Sequence, residues 1–143
     1  MSDFAESRES TAADIGFTIL RVVVGLTFVA HGALKAFAFG RAGTAAFFAH
    51  VGAPFPSVTS VLVTALELIG ALALTFGLFT RVLAFLLACD MVGAILLAKI
   101  KGGFFAPSGA ELEILLLACA LAFALAGGGP WSLDALIDRR HHR

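Results

Sequence analysis

Charge is what this sequence has least of. Only 14% of its residues are Asp, Glu, Lys or Arg, and 59% are hydrophobic. A soluble domain carries roughly 25% charged residues. The shortfall is too large to cover a soluble globule of 143 residues, so the composition points to a bilayer as solvent. The charges that exist cancel, 10 basic against 10 acidic, which gives a nucleic acid no basic face to meet. Cysteine is scarce as well. Cys89 and Cys119 lie in separate apolar runs without C-x-x-C spacing. That argues against a thiol–disulfide enzyme and leaves two small buried hydrophobes. The start, MSDFAESRESTAAD, is polar and acidic where a secretory signal is basic and then apolar, so the first apolar segment is expected to be retained. There is no lipidation motif. No P-loop, dinucleotide fingerprint or nucleophile motif is present either, so the chain is not expected to be a self-sufficient enzyme.

What the sequence has in quantity is apolar length. A bilayer core takes about 20 residues of helix, and four segments offer that or nearly so: 15–39, 58–79, 82–100 and 110–126. The fold expected is all-α, an integral membrane four-helix antiparallel bundle. A short apolar piece over 44–51, ended by Pro54 and Pro56, reads as an interfacial helix between the first and second spans. The stretch GLFTR leaves room only for a tight helical hairpin. In KIKGGFFAPSG, Ser108 and Glu111 have the spacing of a capping box for the fourth helix. Residues 1–14 form a polar cytoplasmic segment, 15–134 the membrane domain and 135–143 a basic tail whose RRHHR touches anionic lipid. With both termini inside, Arg8, Arg81, Arg139, Arg140 and Arg143 outnumber Arg41, Lys99 and Lys101 outside, as the positive-inside rule prefers. Trp131 then anchors at the inner interface.

Against this background the ionisable residues within the spans stand out: Arg21, His31, Lys35, Glu67 and Asp90, with Glu111 and Glu113 opening the fourth helix. A central Arg, Lys or Asp costs about 2.5–3.5 kcal/mol on insertion, so such groups face inward and pair, or line a wet cavity. At 100° per residue, Arg21, Gly25, Phe28, Gly32 and Lys35 share one stripe, with His31 beside it. Gly25 and Gly32, and Gly70 on the second helix, let neighbouring helices approach closely. Lys35 lies roughly 5 Å, His31 roughly 10 Å and Glu67 roughly 14 Å from the same helix ends. His31, Lys35, Glu67 and Glu111 therefore make an outer cluster, and Arg21 with Asp90 a second, inner pair. Two readings follow. The charges are structural ion pairs that set helix register, or the outer cluster receives a polar head group such as a quinone ring, or passes protons. A metal site is not expected, because zinc and haem want several N or S ligands at matched spacing.

At these residues the chain resembles a known family. LRVVVGLTFVAHGALKAF, GTAAFFAHVGAPFP, ELIGALALTFGLFTR and AELEILLLACALAFALAGGGPWSLD look like the DoxX family of small bacterial membrane proteins, over residues 19–134. On that match Arg21, Gly25, His31, Gly32, Lys35, Glu67, Gly70, Arg81, Glu111, Ser132 and Asp134 occupy motif positions. Gly127-Gly128-Gly129 stands where the family more often has Gly-Pro-Gly. Lys99 and Lys101 stand near a frequent family histidine, and Asp90 is not a family pattern. The resemblance implies a four-helix antiparallel bundle in the bacterial inner membrane. It also implies an association with quinol oxidase, with thiosulfate:quinone oxidoreduction or with oxidative-stress redox complexes. Three roles are therefore in play: an accessory subunit of a quinone-linked oxidoreductase, a scaffold within a larger complex or homo-oligomer, and a small-solute or proton carrier. The carrier ranks last, for want of an inverted repeat.

Overall fold

The structure is a computed structural model that describes residues 2–105 and 107–141, without the side chains of residues 2–9 and 141. The tail residues His142 and Arg143, and the side chain of Arg8 used above for orientation, lie outside the described residues. Among the described residues every regular element is helical. Helix α1 covers Ser2–Ala33. It thus begins well before the apolar run, since nothing in the polar start breaks it. A wider π-helical turn, Leu34–Phe39, follows directly. Gly40, at φ +67°, then breaks the axis, and α2 covers Gly40–His50. This helix starts earlier than the 44–51 expected from the apolar run. It packs on the preceding turn and on α3.

Phe55 takes a left-handed conformation, φ +47°, immediately before Pro56 opens α3, Pro56–Ala65. Proline suits that first helical position because its missing N–H had no helical partner to lose. A π turn over Leu66–Gly70 and helix α4, Ala71–Phe76, continue the rod. Gly77, at φ +74°, closes it: Gly77 N donates to Leu74 O and Leu78 N to Ala73 O, both at 2.9 Å. Those two bonds are the Schellman pattern, and they leave only a few residues before α5, Thr80–Ala94. A third π turn, Ile95–Lys99, and a 3₁₀ turn, Ile100–Gly102, end that rod. Helix α6 covers Glu111–Ala126 and α7 covers Leu133–His141.

Among the described residues three stretches are long and apolar enough to cross a membrane: Ser10–His50, Pro56–Phe76 and Thr80–Gly102. Helix α6 has 16 residues, or about 24 Å at 1.5 Å per residue. Large apolar side chains such as Ile19, Ile69, Val82 and Leu125 point outward, which a bilayer tolerates and water does not. The interior is built on small against large. Ala71, Ala84, Ala88 and Ala120 are buried beside Phe28, Leu74, Leu87 and Phe123, and α5 lies along α6.

The capping box expected at α6 does not form. Ala110 holds the N-cap position without a side-chain bond, and Ser108 Oγ instead reaches Gly102 O at 3.5 Å. The physical reason is that backbone supplies what the box would have supplied. Glu111 N donates to Phe104 O at 2.9 Å and Ala110 N to Gly103 O at 3.1 Å.

A close approach joins α1 to the second rod. A Cβ on Gly32 would sit 2.8 Å from Leu68 N and 2.9 Å from Glu67 C, and one on Gly25 would collide with Thr75 Oγ1. A Cβ on Gly70 would meet only side-chain carbons, Leu66 Cδ1 at 2.9 Å and Leu83 Cδ2 at 3.4 Å. Gly32→Ala should therefore push two backbones apart and cost about 1–3 kcal/mol, read as a lower thermal midpoint in detergent. Gly16→Ala, where a Cβ meets nothing within 4 Å, is the matched control and should hold or gain stability. Equal midpoints for the two variants would contradict this packing.

Candidate functional site

The charges fall into two groups at opposite ends of the helices. At one end, Arg21 is 2% exposed. Its guanidinium donates to Gly128 O and, at 3.0 Å, to Trp131 O, and Asp134 is its charged neighbour. Asp134 in turn accepts from the backbone N–H groups of Phe79 at 2.8 Å and Thr80 at 2.9 Å. It thereby caps α5 from far along the chain and holds Phe79 in its left-handed conformation, φ +48°. Arg81 donates to Leu125 O at 2.8 Å, closing the end of α6, and Ser132 Oγ accepts from Ala135 N at 3.1 Å, opening α7. Gly128 is required by closeness, since a Cβ there would sit 2.7 Å from both Ser132 Cβ and Thr80 Oγ1. Arg21, Arg81, Ser132 and Asp134 thus form a latch that ties the 127–134 loop across the helix ends.

The Arg21–Asp90 pair expected from the sequence is therefore corrected. Arg21 takes its partners from the 127–134 loop, whose carbonyls need donors in a low-dielectric setting. Asp90 belongs to the other end, as an electrostatic neighbour of Glu67 and Lys35.

At that other end a cavity of about 570 Å³ opens between the rods. Its walls are mostly apolar, with Phe28, Phe47, Phe48, Met91 and Leu116 among them. Three acids, two lysines and a histidine line it, Glu67, Asp90, Glu113, Lys35, Lys99 and His31, together with the thiol of Cys89. Lys35 Nζ is ion-paired with Glu67 Oε2, and Glu67 is 2% exposed. Lys99 Nζ lies 3.5 Å from Glu113 Oε1 and 3.2 Å from Pro107 O. His31 Nδ1 is 2.9 Å from Thr27 O. A carbonyl only accepts, so Nδ1 carries the proton and the neutral ring keeps a lone pair on Nε2.

The three π turns explain how these groups come to one place. Each carries one of the charges: Lys35 in the first, Glu67 in the second, Lys99 in the third. A π turn inserts an extra residue, which re-aims side chains and loosens the local hydrogen-bond ladder. The loosening is compensated at the first turn, where Thr44 Oγ1 on α2 donates to Lys35 O at 2.9 Å.

The structure thus brings His31, Lys35 and Glu67 to one cavity and leaves Glu111 out of it. Glu113, two residues on, lines the cavity instead. Two residues turn a helix by about 200°, and the phase of α6 is set by the 103–105 backbone rather than by a capping box. Asp90 and Lys99 were not assigned to this cluster from the sequence. Their signal was present, as charges within the third apolar run, but their depth relative to the cavity was not. Among the described residues no group of three or more His, Cys, Asp or Glu is placed to hold a metal ion.

Spans of this kind around a charged cavity define a helical integral membrane protein. The chain belongs to the DoxX family, whose model matches residues 16–100. It is 38% identical over 124 residues to a Bacillus subtilis protein named "Putative oxidoreductase CatD", covering 87% of this chain and 88% of that one. It is 31% identical over 132 residues to an uncharacterized membrane protein of Mycobacterium tuberculosis, covering 85% and 80%. To the inner membrane protein YphA of Escherichia coli it is 28% identical over 122 residues, covering 81% and 86%. No solved structure matches the chain.

If the Lys35–Glu67 pair holds the first two rods together, the two positions must be coupled. A double-mutant cycle with Lys35→Met and Glu67→Gln should give a coupling free energy of about 1–3 kcal/mol, measured by denaturation in detergent. Additive losses would mean that the pair contributes nothing of its own.

Proposed function

We propose that this protein is an accessory membrane subunit of a quinone-linked oxidoreductase system and that the cavity holds the quinone ring. The observation that carries this reading is the cavity itself: about 570 Å³, within the roughly 300–1,000 Å³ of small-molecule sites, with apolar walls and a charged end. A bacterial relative bearing an oxidoreductase name supports it. A quinone supplies two-electron, two-proton chemistry. The chain's own residues supply the rest. Aromatic walls such as Phe28, Phe47 and Phe48 accept the ring's faces, and the Lys35–Glu67 pair fixes the polar end. His31, oriented by its bond to Thr27 O, presents Nε2 to the cavity as a proton acceptor. Electrons pass to or from a partner enzyme, because no redox motif lies within this chain.

In the same reading the molecule is a four-helix antiparallel bundle. Helix α6 is a short fourth span, which local thinning or snorkelling accommodates, and α2 lies at the membrane interface beside the cavity mouth. Both termini face the cytoplasm of a bacterial cell, placing the cavity toward the outer leaflet. A second reading, a scaffold without chemistry, is favoured by one observation. The latch residues Arg21, Arg81, Ser132 and Asp134 make only structural bonds.

Binding separates the two. With the protein in lipid nanodiscs, a short-tailed benzoquinone and its quinol are titrated against wild type, His31→Ala and Glu67→Gln. The quinone reading expects affinity at least about tenfold weaker in the variants, as losing one buried hydrogen-bond partner entails, with helical content and elution volume unchanged. Unchanged affinity in both variants would favour the scaffold.

A further inference from the structure

Resting on the quinone reading, we infer that the cavity selects the reduced, hydroxyl-bearing form of its ligand, the quinol, over the oxidised quinone. The reason lies in which polar atoms still need a partner. Asp90 Oδ2 and Glu113 Oε2 are buried without a hydrogen-bond partner, and both residues line the cavity. These atoms are acceptors. His31 Nε2 is a third, because Nδ1 already donates to Thr27 O. The donors are in a different position. Lys35 is held by Glu67, Lys99 by Glu113 and Pro107 O, and Thr59 Oγ1 donates to Pro54 O. A spare ammonium N–H can serve a ligand oxygen in either redox state, so it does not discriminate.

A buried acceptor left unpaired is costly. The two ligand forms relieve that cost unequally. A quinone brings two carbonyls, which only accept. A quinol brings two hydroxyls, each able to donate to a carboxylate oxygen or to an imidazole nitrogen. The quinol therefore satisfies groups that the quinone leaves orphaned. Asp90 matters most here: it shares a hydrogen bond and the field of Lys35 with Glu67, and its Oδ2 is still left without a partner.

The test compares three probes on the full-length protein in nanodiscs under anaerobic conditions: decylubiquinol, decylubiquinone and the dimethyl ether of the quinol, which has the shape but no hydroxyl donor. The expected result is at least tenfold tighter binding of the quinol than of the other two. That preference raises the midpoint potential of the bound couple by about 30 mV per tenfold. The menadiol and menadione pair, run alongside, should follow the same order. Asp90→Asn, which replaces an acceptor oxygen by a donor, should bring quinol and quinone toward parity. Equal wild-type affinities for quinol and quinone would overturn the inference while leaving the quinone site standing. Equal binding of quinol and ether would overturn it too, because shape alone would then decide. Full preference in Asp90→Asn would overturn the role of Asp90, and binding of no probe would remove the quinone site and the inference together.

Discussion

Glu67 is a carboxylate that the fold has buried among apolar helices, and Lys35 is the cation that makes its burial tolerable. An unpaired charge in that position would be expelled or neutralised. The pair therefore constrains two rods at once: the π turn after α1 must present Lys35 inward, and the π turn in the second rod must present Glu67 toward it. Gly32 is the counterpart in backbone. Without a side chain there, α1 lies against the peptide between Glu67 and Leu68, which sets the distance that the ion pair has to span. Once these two contacts hold, the neighbouring rod, carrying Asp90 and Lys99, encloses space rather than packing it away.

The two polar groups of the molecule do different physical work. At the latch, charged side chains terminate hydrogen-bond demand: Arg21 on loop carbonyls, Asp134 on helix N–H groups, Arg81 on a helix end. Such networks rigidify, and the buried atoms left over there, Arg21 Nε and Thr80 Oγ1, are a donor and a hydroxyl rather than carboxylate oxygens. At the cavity the charges pair incompletely, and buried acceptors remain open.

Much of this was legible in the sequence, and the gaps have physical causes. Hydropathy marked the apolar rods, and the GLFTR stretch marked the hairpin, which Gly77 closes. The 3.6-residue period placed Gly25, Gly32 and Lys35 on one stripe, because that period is a local property of the helix. It could not place Asp90, whose partners depend on how deep the cavity runs between rods. It could not choose Glu113 over Glu111, because the phase of α6 is set by the 103–105 backbone and not by a cap. The three π turns were also hidden, since a π turn has no strong composition signal and is held by tertiary contacts such as Thr44 on Lys35 O. Arg21 was read as needing an acid. The sequence did not reveal that a glycine-rich loop would bring carbonyls to it.

The most direct test of the account is whether the cavity is a ligand pocket. Gly93 lines it, and a Cβ there would meet nothing within 4 Å. Gly93→Leu should therefore fill the space without strain, while removing a helix glycine that costs up to about 1 kcal/mol. The measurement is mass spectrometry of quinone retained by wild type and by Gly93→Leu after mild extraction into native lipid discs. The account predicts quinone enriched over bulk lipid in the wild type and lost in a variant that is at least as stable. Wild type without enrichment, or a filled variant that retains as much quinone, would contradict it.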